Sequence, residues 1–454
     1  MIGNLEKFLE KYNNNAFMYV EYPHKKHWNN DLKGNSINDY LVDSITRNIN
    51  DNFLYYIHIP HCHTQCLYCT CHVEITKDYG VVKKYFDYLL KEIELQKEIF
   101  RRVEAPLSFT DVHFGGGSPT FLKEEEFDIL QNKLESFIDF SKLNEYAIEI
   151  DPRRIKEDRM IYYHSKGINR ISFGVQEFDL DVQKAVNRVQ PDFLIDRLLK
   201  KEIRDLFPNG INFDLLCGLP NQNIAGFEKT IDKTIDYNPD RICLNYMHMS
   251  PKFHPHQLEM QKGTLPDQNL KKELFLLAEE KLLKNGYIRA GYDHFVKNDD
   301  YLAEEFKNKK AGWNRLGIVT GEYENILGAG VSSTCKINGQ INYQNTFENS
   351  DYVKMLEQQK LPISSFHISS DDDKIREFII KNIRQFFRVD KKIVSEMFKI
   401  NFDEYFDETL KEIKEFEKNN LLQNKPDEIL LSRSGEIISN LIASRFDKYL
   451  DDMN

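Results

Sequence analysis

Between residue 53 and about 295, short apolar runs alternate with longer amphipathic stretches. The runs at 54–59, 111–114, 146–150, 170–173, 211–216, 241–246 and 287–292 are rich in Ile, Leu, Val, Phe and Tyr, as buried strands require. The stretches at 85–102, 124–140, 191–207, 226–237 and 270–285 read as helices; in the first, apolar residues recur at Tyr85, Leu89, Ile93, Leu95 and Ile99. Strand and helix repeating every 30 to 40 residues predicts parallel pairing through right-handed crossovers. About six such units form an open or closed barrel, and either form places ligands at the C-terminal ends of the strands.

The flanks read differently. Residues 1–52 form an extension with a helical start and an aromatic, basic patch, Tyr19-Val-Glu-Tyr-Pro-His-Lys-Lys-His-Trp28. Past about 350 the pattern is helical without intervening buried strands. Near the end, 421–423 and 429–431 read as a hairpin, and 432–434 would cap a last helix through Tyr449. The expected division is an extension contributing to an active-site lid (1–52), a barrel with a following substrate segment (53–350), and a small, mostly helical C-terminal domain (351–454).

Charge and composition narrow the classes of function. Sixty-one Lys and Arg against 72 Asp and Glu give a net charge of −11, which argues against sequence-independent nucleic-acid binding. No stretch approaches 18 uninterrupted apolar residues, so none reads as a membrane span. The N-terminus lacks a basic segment followed by an apolar core, so no secretory signal is read. Seven cysteines in 454 residues, four of them within ten positions, suit a reducing compartment. A cytoplasmic enzyme is expected, and a hydrophobic substrate would allow peripheral contact with a membrane.

Those four cysteines carry the chemistry. Cys62, Cys66 and Cys69 gather three soft thiolates around one small volume, with Cys71 beside them. A structural zinc would ask for four tetrahedral ligands, usually in two spaced pairs. A four-iron–four-sulfur cluster on three cysteines keeps one iron open to a ligand that is not protein. Gly115-Gly116-Gly117-Ser118-Pro119 follows the second strand, where backbone N–H groups can meet a carboxylate or amino-acid moiety; such runs are also simply tight turns. Glu149 and Gln176 end the third and fourth strands, Arg188 follows in Val186-Asn-Arg, and Asp214 lies in the fifth strand. Singly, each has a bland reading as a strand-end or surface polar group.

The pattern Cys-x3-Cys-x2-Cys-x-Cys resembles that of the oxygen-independent coproporphyrinogen III dehydrogenases and their relatives among the radical S-adenosylmethionine (SAM) enzymes. The resemblance is close from about Tyr55 to Asn245, thins to Phe295, and is faint beyond. It implies a partial (β/α)6 TIM-like barrel, a 4Fe–4S cluster on Cys62, Cys66 and Cys69, and cleavage of SAM to a 5′-deoxyadenosyl radical. It further implies two SAM molecules. Tyr56, Gly116 and Glu149 would hold the one on the cluster; Tyr68, Gly117, Ser118, Gln176, Arg188 and Asp214 would hold the other. An electron donor such as flavodoxin or ferredoxin is implied as a partner.

The resemblance breaks at the N-terminal patch and at Trp313-Asn-Arg-Leu-Gly-Ile-Val-Thr320, and two positions near the SAM sites are Met247 and Thr334. These breaks point to a rebuilt substrate pocket, with Tyr19, Tyr22 and Trp28 as candidate lid residues and His248 and His294 as candidate proton carriers. The reading favoured is a class C radical SAM methyltransferase acting on an sp² ring carbon of a flat, oily substrate such as the naphthoquinone of menaquinone. The alternative is the dehydrogenase itself, a tetrapyrrole enzyme of haem biosynthesis, with Lys25, Lys26, Arg188 and Arg315 available to substrate carboxylates. A haem chaperone is the non-enzymatic reading, and Cys71 argues against it.

Overall fold

Six of the seven predicted runs become the parallel centre of a twelve-stranded sheet in the computed structural model, which describes residues 21–28, 36–314, 317–319 and 325–450. These strands are β1 (Asn52–Ile59), β2 (Ser108–Gly116), β3 (Glu145–Ile150), β4 (Arg170–Gln176), β5 (Ile211–Cys217) and β6 (Arg241–Tyr246). Each pairs in parallel with the next, in chain order. The seventh run is cut short at Arg289: β7 (Tyr287–Arg289) turns at Gly291 and returns as β8 (His294–Lys297), antiparallel to β6. The other edge grows through β9 (Asn325–Ala329), parallel to β1, and then β10 (Thr334–Ile337), β11 (Ile341–Asn345) and β12 (Ile363–Ile368), all antiparallel. β1 and β6 pair outward instead of with each other, so the result is an open, partial (β/α)6 barrel.

The helices form where an apolar stripe meets a capping residue. Tyr79–Arg101 starts at Asp78, whose carboxylate accepts the Gly80 N–H at 2.8 Å, and buries Val82, Phe86, Leu89 and Ile93 against the sheet. The helix expected over 191–207 is instead two single turns, Phe193–Asp196 and Lys201–Arg204. The chain swings to ψ 145° at Lys200, which lets Ile203 and Phe207 bury along with Leu198. Residues 349–368, read from sequence as the start of the helical part, pack on the sheet: β12 lies at its edge, and Tyr352 and Leu356 join the barrel core. A buried carboxylate ties this region down. Glu92 accepts from the Asn345 side chain at 2.6 Å, the Gly330 N–H at 2.8 Å and the Gln96 side chain at 3.0 Å.

A second apolar cluster, from Ile375 to Phe446, gathers helices around a small antiparallel sheet of Arg388–Asp390, Leu422–Asn424 and Glu428–Leu431. Ser432 does cap a helix, accepting from Gly435, but that helix stops at Ile437 and a second runs Ser439–Ser444. Tyr22 belongs to this cluster, and its hydroxyl donates to Asp373 at 3.0 Å. Among the described residues, no helix is long and apolar enough to cross a membrane.

The barrel's inner wall is polar. At its floor Glu145 receives Arg170 at 2.9 Å and Arg241 at 2.6 Å, and Arg241 also clasps Asp300 through Nε at 3.0 and 3.1 Å. Burial opposes ionisation of Glu145, yet Arg241 and Arg170 outweigh it and bring the carboxyl down to about 2. Removing one member of such a set leaves buried charge uncompensated. Arg241→Met is therefore expected to cost about 3–5 kcal/mol of stability, read from denaturant unfolding of the anaerobic protein by circular dichroism.

Candidate active site

The C-terminal ends of β1 to β6 and the loop after β1 enclose a cavity of about 770 Å³. The three cysteines line it, and Cys71 with them. Every other residue singled out from sequence for SAM also lines it: Tyr56, Tyr68, Gly116, Gly117, Ser118, Glu149, Gln176, Arg188 and Asp214. Met247, Thr334, His248 and His294 line the same space.

The cysteine loop is built to stabilise sulfur that carries negative charge. Burial and then the neighbouring Cys69 and Cys66 sulfurs push the Cys62 thiol up to about 12. Three thiols this close ionise together only around a shared cation, and a sulfur-only donor set suits iron. Two guanidiniums point at Cys66 Sγ, Arg188 at 3.5 Å and Arg153 at 3.6 Å. Asp151 orients both: Arg153 chelates it at 2.7 to 3.1 Å, and Arg188 lies 3.5 Å away. Against its burial, Arg188 and Arg153 hold the Asp151 carboxyl well below the usual carboxylate range. A hydrogen bond with Cys71 favours the Cys69 thiolate. These residues fit an iron–sulfur cluster.

Glu149 is fixed by partners that sequence reasoning missed. Its Oε1 lies 3.0 Å from His113 Nε2, and its Oε2 accepts the Gly116 N–H at 3.2 Å. Arg170 reaches His113 Nδ1 at 3.4 Å, which leaves Nε2 as the donor to Glu149. His113 and Arg170 alternate along β2 and β4 with apolar residues, and only that period-2 pattern marked them as inward-facing. Asp214 accepts from Asn212 at 2.8 Å and Ser172 at 3.2 Å, and burial with the nearby Glu149 pushes its carboxyl up. Gln176 holds a positive φ of 69° at the end of β4, a backbone conformation that costs energy and here turns the side chain to the cavity.

The glycine run lines the cavity and is also bonded within the protein. The Gly116 N–H donates to Glu149, and the Gly117 N–H donates to Ile59 O at 2.8 Å. What demands glycine is the protein itself: a Cβ on Gly115 would lie 2.7 Å from Glu149, and one on Gly117 would lie 2.8 Å from the Pro60 backbone. On Gly116, at φ 109°, it would lie 2.6 Å from the His58 ring.

The lid residues are also reassigned. Tyr22 is buried against the C-terminal cluster, Trp28 donates to Pro23 O at 3.1 Å, and neither reaches the cavity. Tyr19 and Arg315 lie outside the described residues. Lys25, between Tyr22 and Trp28, does line the cavity. His294 is bound through Nδ1 to Asp293 at 2.6 Å, and burial holds His248 below the usual histidine value.

An open six-stranded parallel barrel with a three-cysteine loop after its first strand defines a radical SAM enzyme, and residues 56–234 match the radical SAM superfamily. Such a fold implies a 4Fe–4S cluster and SAM. Residues 369–436 match the HemN C-terminal domain. The chain is 34% identical over 403 residues to the oxygen-independent coproporphyrinogen III oxidase of Pseudomonas aeruginosa, covering 88% of this chain and 86% of that one. It is 30% identical over 449 residues to the enzyme of that name from Helicobacter pylori strain 26695, covering 98% and 97%. The solved coproporphyrinogen III oxidase (HemN) of Escherichia coli superimposes with a TM-score of 0.88 at 29% identity, over 95% of this chain and 98% of that one. The chain belongs to this HemN-like family of oxygen-independent coproporphyrinogen III oxidases.

The menaquinone methyltransferase expected from sequence is thereby overturned. Relatives matched over nearly their whole length, the C-terminal domain included, carry the oxidase name. The weight placed on 19–28 and 313–320 misled, because these are short departures in a chain whose fold keeps the family's form.

Gly116→Ala should lower the melting temperature more than Gly286→Ala. Gly286 has a similar φ of 87° but open space where a Cβ would go, so it carries only the left-handed backbone cost of about 1–2 kcal/mol. The difference between the two, by differential scanning fluorimetry under argon, reports the contact with His58.

Proposed function

We propose that this enzyme catalyses the oxidative decarboxylation of two propionate side chains of coproporphyrinogen III, leaving vinyl groups and releasing carbon dioxide. The observation that carries this reading is the near full-length likeness to enzymes of that name, at 34% identity over 88% of the chain. The cationic lining of the cavity supports it, since Arg153, Arg154, Arg188, Arg384 and Lys25 all reach the wall that a four-carboxylate substrate would meet. In this reading Cys62, Cys66 and Cys69 ligate the cluster, and Arg153 and Arg188 stabilise the sulfur of Cys66. Glu149, oriented by His113, and Tyr56 and Gly116 contact the SAM bound there. Tyr68, Gly117, Ser118, Gln176, Arg188 and Asp214 form the site of a second SAM. When bound, cluster and SAM would supply a carbon radical able to take a hydrogen atom from an unactivated carbon. The protein's part is to hold the propionate beside that radical and to keep water away.

Anaerobically reconstituted enzyme, with SAM and a strong reductant, should convert coproporphyrinogen III to protoporphyrinogen IX with loss of two carbon dioxide molecules. Methyl-deuterated SAM should leave no label in the product; labelled porphyrin without carbon dioxide would reject the proposal. Cys66→Ala should lose both iron and activity. Arg188→Ala should keep most of the iron while equilibrium dialysis finds one SAM bound per chain instead of two. An unchanged count would remove Arg188 from the second site.

A further inference from the structure

The N-terminal strap brings a cation to the active-site cavity, and among the described residues no carboxylate balances it. Residues 21–28 are pinned by contacts that do not involve Lys25. Tyr22 donates to Asp373 at 3.0 Å, the His27 ring stacks on Tyr449 at 4.7 Å, and Trp28 bonds back to Pro23. The His24 side chain accepts the Lys26 N–H at 3.3 Å and so shapes the short turn that carries Lys25. Lys25 leaves that turn for the cavity wall, where its ammonium lies 5.7 Å from the centre of the Phe347 ring. Among the described residues, no carboxylate pairs with it.

Most cations around this cavity are spoken for. Arg170 and Arg241 share Glu145, Arg153 grips Asp151, and Arg188 is divided among Cys66, Asp151 and the Gly174 carbonyl. A largely desolvated ammonium without an anion is unfavourable, and burial alone pushes Lys25 down to about 8. The unfavourable term is offset when a carboxylate arrives, and the pinned strap means little side-chain order has to be acquired. Phe347 marks where the ammonium sits. It is 46% exposed, its ring meets His72 edge-on at 5.6 Å, and it stands at the rim of the cavity.

We infer that Lys25 is a binding residue for a carboxylate of the tetrapyrrole substrate, engaging one propionate at the rim while another lies near the cysteine loop. This rests on the tetrapyrrole reading above. SAM also carries a carboxylate, but Lys25 is not among its contacts in that reading, so the larger ligand is the one assigned to it.

The probes are coproporphyrin III and its tetramethyl ester, titrated by fluorescence quenching into anaerobic holoenzyme. Lys25→Met should bind the tetra-acid about tenfold more weakly than wild type, as expected for a lost hydrogen bond between charged groups. Its affinity for the ester, its iron content and its SAM binding should be unchanged, and Lys25→Arg should keep most of the tetra-acid affinity. Lys25→Gln provides the same comparison if methionine disturbs the strap. Equal tetra-acid binding by wild type and Lys25→Met would overturn the assignment. So would a loss confined to SAM binding, which would make the SAM carboxylate the partner. Failure of the wild type to bind coproporphyrin III would instead reject the tetrapyrrole reading and this inference with it.

Discussion

Glu145 at the barrel floor, held between Arg170 and Arg241, is the interaction on which the site above it depends. A parallel barrel of this size is ordinarily filled by layers of branched apolar side chains. Here the inward positions are polar, and a polar interior is stable only if each charge has a counter-charge and each donor an acceptor. Arg170 meets both needs. It neutralises Glu145 below and reaches His113 above, and His113 holds Glu149 at the cavity. A line of complementary groups thus runs from Asp300 through Arg241, Glu145, Arg170 and His113 to Glu149.

The same logic explains which features could be read from the chain. The outward face of each strand is aliphatic or aromatic and packs beneath helices, so β1 to β6 stand out as apolar runs. The added strands β9 and β11 do not, because Asn325 opens the first and Asn342, Gln344 and Asn345 are buried polar residues in the second. These residues are accommodated by long-range partners. Asn345 bonds to Glu92, 253 residues away, and to the Gly330 carbonyl, a pairing that no local pattern encodes. The helix over 191–207 failed for a related reason: its apolar residues suit one stripe, but burying Ile203 and Phe207 as well took a turn at Lys200.

Within the site, what was legible was residue type at a strand end. Cys62, Cys66 and Cys69 were visible from their spacing, and Glu149, Gln176, Arg188 and Asp214 from the family resemblance; the structure does bring them to one cavity. The groups that orient them were not visible. His113, Asp151 and Arg153 act through side-chain pairs between different strands and loops, and each looks like an ordinary polar residue in its own segment. The glycine run was legible as a close-approach segment, but the neighbours that crowd it, Tyr56, His58 and Pro60, were not.

The N-terminal patch shows how far residue type can mislead about substrate. Its aromatic residues suggested a surface for an oily, uncharged molecule, yet Tyr22 and Trp28 turn away from the cavity and serve to anchor the strap. The side chain that reaches the cavity is the lysine between them. Aromatic anchors with an unbalanced cation at the tip form a device for an anion, because the apolar contacts fix the position of the charge and burial weakens its competition with water. A charge held in this way suits the carboxylate-bearing substrate proposed above, so the aromatic character of the segment is no argument for an uncharged one.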